Sequence, residues 1–363
     1  MNSNGIVIAG GGLAGQRCCE RLRRRGYEGR IRMVCDEPLH PYDRPPLSKE
    51  HLAGDEPELS FRDEDWYRDN EVELLLDTRA TGLEDGTLQT TAGPLPYDKV
   101  LIATGAAPRR LPGAERFSNA YVLRTLADAT ELREALRPGA RLVVIGAGFI
   151  GLEVAATARK LGVEVTLVDV ASAPLAHILG ERIGDWFARM HADEGVRLAL
   201  SNGVADFRGN GRVEELRLAD GTVLECDALL VAIGVAPALD WLDGIDPRTL
   251  PGVHVAGDAA GGEHWEAAAQ QGAAAADEML GLNPAVPPLA GFWSDQYGVR
   301  IQYLGEARHS DAVELDGSLG KRDFSVTFTQ RGRRVAALLV GRPRALPEMR
   351  RLIAKGAMNE LPD

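Results

Sequence analysis

Short, continuously apolar runs recur along the chain and are followed by segments with helical spacing of apolar residues. Residues 6–9 and 142–145 are two such runs, and each leads directly into glycines and then a helical pattern. A continuous apolar run in this setting is typical of a parallel strand that is buried on both faces and followed by a crossover helix. Two further runs end at Gly105 and Gly234. The pattern therefore predicts two related α/β units.

The remainder of the chain shows a different pattern. A helix is predicted from about Glu263 to Leu280, where alanines dominate, and a proline-rich linker follows it. Beyond Gly291 apolar and polar residues alternate, as in residues 324–328, and a final helix is predicted near residues 349–355. Alternation over short segments indicates half-buried strands, so a third domain of the α+β class is expected.

The glycines that follow the first two apolar runs have the spacing G-x-G-x-x-G. They are Gly10, Gly12 and Gly15 after the first run, and Gly146, Gly148 and Gly151 after the second. In this setting the first glycine permits a tight turn, the second lets the backbone approach a pyrophosphate, and the third lets the helix pack on the strand. An acid about 20 residues later, Asp36 or Asp169, is placed to bind a ribose hydroxyl. Two bound dinucleotides are therefore expected, which suits electron transfer between them.

Composition narrows the classes of function. The chain has 363 residues, a formal net charge of −12 and four cysteines. That length predicts two or three domains, and the negative charge argues against a nucleic-acid partner. No apolar run is long enough to span a membrane. The cysteines, Cys18, Cys19, Cys35 and Cys226, show neither C-x-x-C nor metal-ligand spacing, so no metal site and a cytoplasmic location are expected.

Several stretches resemble the FAD-dependent pyridine-nucleotide ferredoxin reductases, the flavoproteins that feed ring-hydroxylating dioxygenases and haem-thiolate monooxygenases. The stretches that carry the resemblance are residues 41–49, 103–109, 123–126, 146–153, 256–258 and 293–296. The resemblance implies an α/β fold with two Rossmann-like dinucleotide-binding domains, for FAD and NAD, plus a C-terminal α+β domain. The implied boundaries are 1–110 and 236–288 for the two parts of the FAD-binding domain, 111–235 for the NAD-binding domain and 289–363 for the C-terminal domain.

The resemblance also implies which residues bind the cofactors. For FAD they are Gly10, Gly12, Ala14, Gly15, Asp36, Arg44, Lys49, Ala80, Thr104, Gly105, Arg124, Asp258, Trp265 and Trp293. For NADH and the second unit they are Gly146, Gly148, Phe149, Gly151, Asp169 and Gly234. Lys49 and Glu153 are the catalytic candidates, expected to pair beside the reacting atoms. A lone lysine or glutamate is more often a solvated surface residue, so these roles depend on the matched motifs.

The implied function is transfer of electrons from NADH through FAD to an acidic two-iron ferredoxin. The segment after Asp36 contains no cysteine, which disfavours the peroxidases, water-forming oxidases and disulfide reductases that need one. Two alternatives stay open: a cysteine-free NADH oxidase or quinone reductase, and a slow redox-sensing flavoprotein that binds NAD. The chain lacks family residues between Trp241 and Asp246 and again after Asp258, so the acceptor site is the least determined part.

A docking face for an acidic ferredoxin would have to be locally basic, because the whole chain is acidic. The candidates are Arg331, Arg333, Arg334, Arg342, Arg344, Arg350 and Arg351, with Arg109 and Arg110 at the end of the first unit. Ordinary solvated arginines are an equally good explanation of this distribution. The oligomeric state is not predicted by any feature of the sequence.

Overall fold

A computed structural model describes residues 4–84, 86–262 and 264–358, with side chains up to Lys355. The described residues form two compact units. The first contains the chain up to Asp43, Glu58–Ala107 and Ala236–Ala290, and the second contains Arg44–Pro57, Pro108–Val235 and the residues from Gly291 onward. The segment 44–57, which the sequence placed within residues 1–110, joins the second unit because Leu52 is fully buried in the same apolar cluster as Leu132 and Leu152.

The first unit is built on a parallel sheet. Its strands lie in the order Val253–Val255, Lys99–Ile102, Ile6–Ala9, Ile31–Val34 and Val72–Leu75. Successive residues of a strand point to opposite faces, and here both faces are covered: Ile6 and Ile8 belong to one apolar cluster, Val7 and Ala9 to another. Burial on both faces explains why the strand is continuously apolar.

Helices and a small antiparallel sheet complete the first unit. The helices are Leu13–Arg24, Glu64–Asp69 and Trp265–Met279, and the sheet contains Ala80–Glu84, Thr87–Thr90 and Leu95–Pro96. Short 3-10 helices span Asp240–Leu242, Pro247–Thr249 and Gly257–Ala260. The long alanine-rich helix begins at Trp265, and Glu263, where the sequence predicted its start, lies outside the described residues. Arg21 of the first helix and Arg25, the residue that follows this helix, both pair with Asp277 of the alanine-rich helix, at 2.6 and 2.9 Å, and hold the pKa of that buried carboxyl well below its usual range.

The second unit contains a second parallel sheet of the same kind. Its strands lie in the order Arg197–Ala199, Glu164–Val168, Arg141–Ile145, Ala228–Val231 and Ala120–Tyr121. An antiparallel sheet of Val204–Arg208, Glu215–Leu218 and Val223–Glu225 accompanies it. The helices are Glu50–Ala53, Leu126–Ala135, Phe149–Lys160, Ala176–Leu179 and Glu181–Asp193, and Pro45–Ser48 forms a 3-10 turn. Two short strands, Ala106–Pro108 and Val235–Pro237, lie where the chain passes from one unit to the other.

The last part of the second unit is an antiparallel sheet with one helix. The strands lie in the order Gly291–Gln296, Val299–Gly305, Arg333–Val340, Asp323–Gln330 and Ala312–Ser318. A 3-10 turn, Pro343–Ala345, leads into the helix Leu346–Met358. Two-residue turns join neighbouring strands at Tyr297-Gly298 and Arg331-Gly332, and all four of these residues have positive φ, as type I′ hairpin turns require.

Candidate active site

The first glycine motif forms a tight turn in which one of the three glycines has open space where a side chain would begin. Gly10 has φ of +122°, and a Cβ there would lie 2.1 Å from the carbonyl oxygen of Ala103. A Cβ on Gly15 would lie 2.2 Å from the oxygen of Gly10, so the helix could not approach the strand. At Gly12, by contrast, a Cβ would meet no protein atom within 4 Å. Packing within the protein thus explains Gly10 and Gly15, whereas the open position at Gly12 fits a pyrophosphate that approaches the backbone.

The second glycine motif repeats this arrangement. Gly146 has φ of +108°, with a Cβ position 2.3 Å from the oxygen of Ala232, and a Cβ on Gly151 would lie 2.1 Å from the oxygen of Gly146. A Cβ on Gly148 would again have no neighbour within 4 Å. Both units therefore present the same open backbone position at the N-terminus of a helix, where the helix dipole favours a bound anion.

The two acids that follow the motifs differ in their surroundings. Asp36 is 56% exposed and accepts a hydrogen bond of 2.8 Å from Nε of Arg79. Asp169 accepts from the backbone N–H of Ala147, within the glycine turn, at 2.6 Å, and from that of Ala171 at 2.8 Å. Asp169 therefore anchors its own turn, a role that the sequence did not predict, in addition to any contact with a ribose.

The other FAD candidates of the first unit occupy defined positions. Ala14 and Ala80 are buried, and Gly105 has φ of +73° at the end of its strand. The Thr104 hydroxyl donates to the carbonyl oxygen of Ala238 at 2.8 Å. Asp258 lies half-buried in a 3-10 turn. Trp265 is the first residue of the alanine-rich helix, and its indole N–H donates to Asp43 at 2.7 Å.

Lys49 and Glu153, the two catalytic candidates, meet in the second unit. Lys49 Nζ lies 2.6 Å from Glu153 Oε2, and the side chains are only 11% and 4% exposed. The lysine also donates to the carbonyl oxygen of Pro45 at 3.1 Å, which the two prolines of the 3-10 turn hold in place. A pair so buried leaves no net charge in the interior, but removing one partner would leave the charge of the other buried and uncompensated.

The remaining candidates of the second unit surround the ends of its helices. Phe149 packs edge-to-face against Phe292 with ring centroids 4.3 Å apart. The side chain of Arg44 donates to the backbone oxygen of Arg124 at 2.7 Å. Trp293 lies on the first strand of the C-terminal sheet with the guanidinium of Arg300 5.8 Å from its ring centroid. The same unit contains Gly234, with φ of +94°, whose carbonyl oxygen accepts from the backbone N–H of residue 109 at 2.9 Å.

Several polar residues around Glu153 were missed by sequence reasoning. Ser48 donates to Glu153 Oε2 at 2.5 Å, and Ser294 donates to Oε1 at 2.7 Å. Gln296 and His191 continue the network from Ser294. Residues 293–296 were recognised as a motif, but only Trp293 was given a role. The available signal was the two-residue spacing of Ser294 and Gln296, which puts both on one face of a strand.

Neither the cysteines nor the potential metal ligands of the described residues form a site of their own. All four cysteines are buried and free, and burial raises the pKa of Cys35 and of Cys226 to about 12. Within the described ranges, no group of His, Cys, Asp and Glu side chains could hold a metal ion. Among the same residues, none of the helices combines the length and apolar character needed to cross a bilayer.

Comparison with known proteins places these features in a family. Residues 4–272 match the model of the pyridine nucleotide-disulphide oxidoreductases. The chain belongs to this family. Residues 291–361 match a second model, described as the reductase C-terminal family. The family predicted from the motifs, its α/β fold with a separate C-terminal domain, and an oxidoreductase activity with FAD and NADH are confirmed.

Named relatives cover almost the whole chain. The chain is 36% identical over 341 residues to the biphenyl dioxygenase system ferredoxin–NAD(+) reductase component of Paraburkholderia xenovorans (strain LB400), covering 86% of this chain and 83% of that protein. It is 32% identical over 390 residues to the putidaredoxin reductase of Pseudomonas putida, covering 97% and 92%. A solved structure, described as the covalent putidaredoxin reductase–putidaredoxin complex, matches with a TM-score of 0.92 at 32% identity, covering 98% of this chain and 94% of that one.

Proposed function

We propose that this protein is an NADH:ferredoxin reductase, which passes electrons from NADH through FAD to a two-iron ferredoxin-type protein. The observation that carries the proposal is the presence of two glycine turns, each with a middle glycine that no protein atom crowds, in one chain. The acceptor is inferred from the relatives, two of which are named as reductases of a ferredoxin or of putidaredoxin. The acidic two-iron ferredoxin predicted from the motifs is of this acceptor class.

We assign the turn at Gly12, with Asp36, Asp258 and Trp265, to FAD, and the turn at Gly148 to NADH. On this assignment residues 1–110 and 236–288 form the FAD-binding domain, 111–235 the NAD-binding domain and 289–363 the C-terminal domain. FAD supplies the redox chemistry, because it accepts a hydride and releases electrons singly. The protein supplies binding, orientation and electrostatics.

The Lys49–Glu153 pair is assigned the electrostatic role. The ammonium of Lys49 provides a fixed positive charge where negative charge develops, and a preorganised charge in a site that excludes water stabilises that development strongly. Glu153 holds the ammonium in position at 2.6 Å. Phe149 and Trp293 are assigned to the walls of the same site because both are aromatic and partly exposed. Phe149 begins the helix that carries Glu153, and Trp293 directly precedes Ser294, which donates to Glu153.

The buried thiols support a mechanism without a redox disulfide. A nucleophilic cysteine must be exposed and easily deprotonated, whereas burial raises the pKa of every cysteine in this chain. Four free thiols also suit a reducing compartment, so we propose a cytoplasmic location, which fractionation of the source cells tests.

Stopped-flow reoxidation tests the acceptor. The NADH-reduced protein is mixed in turn with a two-iron ferredoxin, a quinone and oxygen, and ferricyanide serves as a control that the flavin can release electrons. The proposal expects the ferredoxin to be reduced fastest by at least tenfold. Faster reaction with quinone or oxygen would assign the protein to the cysteine-free reductases or oxidases. A long-lived charge-transfer band with slow turnover on every acceptor would indicate a redox sensor.

A further inference from the structure

Glu153 is the end point of a buried network that extends well beyond Lys49. Its Oε2 accepts from Lys49 Nζ and from the Ser48 hydroxyl, at 2.6 and 2.5 Å. Its Oε1 accepts from the Ser294 hydroxyl at 2.7 Å. Ser294 is fully buried, and Glu153 is 3% exposed. Each carboxylate oxygen thus has a donor, and the donor on Oε1 connects to further residues.

From Ser294 a chain of hydrogen bonds runs through the second unit. Gln296 Nε2 lies 2.9 Å from the Ser294 oxygen, and Gln296 Oε1 lies 2.9 Å from His191 Nε2. The other ring nitrogen of His191, Nδ1, lies 2.8 Å from the Tyr297 hydroxyl. Gln296 is 1% exposed and His191 is fully buried, so water cannot replace any of these partners.

The direction of every hydrogen bond in this chain is fixed by its chemistry. An ionised carboxylate only accepts, so the single hydrogen of Ser294 must point to Glu153. The Ser294 oxygen then accepts from the amide nitrogen of Gln296, whose oxygen must accept from His191 Nε2–H. With the amide reversed, the one hydroxyl hydrogen of Ser294 would face two acceptors. His191 therefore carries a proton on Nε2; because burial disfavours a charged ring, its Nδ1 is unprotonated and accepts from the Tyr297 hydroxyl.

The surroundings of His191 agree with a neutral ring. The pKa of His191 is lowered to about 4, mainly by burial and also by the charge of Arg322, while Gln296 and Glu194 act in the opposite sense. Arg322 and Glu194 pair with each other at 2.7 Å, and the guanidinium lies 5.9 Å from the Tyr297 ring centroid. The two charged groups that face the histidine thus largely compensate each other.

The backbone brings these side chains together at one face of a strand. Ser294 and Gln296 are two residues apart on the strand Gly291–Gln296, so they project to the same face, towards the helices that carry Glu153 and His191. Tyr297 begins the type I′ turn with φ of +52°, a conformation that is unfavourable for an aromatic residue. The bond from Tyr297 to His191 is one contact that the turn makes possible.

We propose that Tyr297, His191, Gln296 and Ser294 are positioning residues: they hold the Glu153 carboxylate in place and thereby keep the Lys49 ammonium fixed in the active site. The four donors all point towards the carboxylate, so each reinforces the next. The proposal rests on the proposed function, which assigns the electrostatic role in the redox reaction to the Lys49–Glu153 pair. Loss of any donor leaves the Glu153 carboxylate less firmly held, so that it compensates the Lys49 ammonium less well.

Nitrogen NMR of holoenzyme with ¹⁵N-labelled histidine tests the direction of these hydrogen bonds without reference to activity. The His191 signal is identified by its absence in His191→Gln. We expect a neutral ring with the proton on Nε2 at pH 6, where an ordinary histidine is largely protonated. A proton on Nδ1 instead, or a charged ring at pH 6, overturns the proposal.

The flavin midpoint potential tests the effect on the site. In Ser294→Ala and Gln296→Leu the Glu153 carboxylate is held less firmly and compensates the Lys49 ammonium less, which should favour flavin reduction three- to tenfold, a rise of about 14–30 mV for a two-electron couple. Ser294→Thr, which retains the hydroxyl, should restore the wild-type potential. Tyr303→Phe removes another buried hydroxyl of the same sheet, which accepts from the backbone of Ala307 at 2.7 Å, and should not shift the potential.

A second comparison separates this proposal from the proposed function. If Lys49→Met leaves the potential unchanged, the pair does not lie at FAD and the placement in the proposed function is wrong. If Lys49→Met shifts the potential but Ser294→Ala and Gln296→Leu do not, the placement stands and the positioning chain is refuted. An equal shift in Tyr303→Phe would show general loosening of the sheet and would also refute it.

Discussion

Replacing Gly12 by alanine should separate cofactor binding from folding. The backbone of Gly12 has φ of −81° and ψ of −174°, which any residue adopts, and the added Cβ would have no protein neighbour within 4 Å. The cost to folding should stay within about 1 kcal/mol, since alanine is a poorer helix cap than glycine but restricts the unfolded chain more, and the two effects partly cancel. The new methyl group would instead occupy the space assigned to the FAD pyrophosphate.

The expected loss of FAD affinity follows from that overlap. Forcing one extra methyl group into a well-packed contact typically costs about 1–3 kcal/mol. By the affinity relation this weakens FAD binding about 5-fold to 150-fold. The dissociation constant is measured by flavin fluorescence during titration of the apoprotein, and circular dichroism confirms that the variant is folded.

Two matched glycines provide the controls. Gly148→Ala makes the same change in the second turn, so it should leave FAD binding intact and weaken NADH binding by a similar factor. Gly15→Ala should prevent correct folding, because its Cβ would lie 2.2 Å from the oxygen of Gly10. Wild-type FAD affinity in Gly12→Ala, or equal loss of FAD from Gly12→Ala and Gly148→Ala, would refute the assignment of the two turns.

The other predictions concern charge. Lys49→Met should slow NADH-driven flavin reduction at least about tenfold, because a buried positive charge is lost; a wild-type stopped-flow rate would remove Lys49 from the mechanism. NADH should be preferred over NADPH by about 10- to 1,000-fold in kcat/KM, or about 1–4 kcal/mol, since Asp169 would repel a 2′-phosphate; equal efficiencies would contradict this. Folding lowers the pKa of His191 from 6.5 to about 4, so between these pH values the unfolded chain binds one proton more than the folded chain. Stability should therefore decline as pH falls through this window, by about 1.4 kcal/mol per pH unit, and urea titrations should show a flatter pH dependence in His191→Gln. Charge reversal at the exposed Arg331 and Arg334 should raise the KM for ferredoxin and reduce its salt dependence while leaving the ferricyanide rate unchanged; a KM that does not move would place docking elsewhere.

The structure narrows the choice of docking arginines. Arg342 was a sequence candidate, but its guanidinium pairs with Asp316 and, at 2.6 Å, with Asp323. Its charge is therefore largely compensated within the sheet, and it is a poor choice for attracting an acidic partner. Arg331 occupies an exposed hairpin turn between two strands of the same sheet, so it is better placed.

Local patterns were sufficient to predict the two strand–turn–helix units to which the nucleotides are assigned. The apolar runs and the glycine spacing predicted both strand–turn–helix units, because their geometry depends on neighbouring residues alone: Gly10 needs a positive φ, and a continuously buried strand needs apolar residues throughout. Helix ends were less well determined, and the last helix begins at Leu346 rather than near residue 349. Its first turn contains a proline, which is favourable at a helix start but interrupts the apolar spacing.

The partners of the buried polar groups were decided only by tertiary structure. Motif resemblance indicated Lys49 and Glu153, residues distant in the chain. Beyond the two-residue spacing of Ser294 and Gln296, the sequence contained no signal that these two residues and His191 would connect to the same carboxylate. Such convergence depends on how a strand packs against two helices, and one residue of register shift would turn Ser294 and Gln296 to the opposite face. The sequence by itself thus determined the backbone turns to which the nucleotides are assigned, whereas packing determined which side chains surround the Lys49–Glu153 pair, because a buried charge is stabilised only by the donors that the folded chain brings to it.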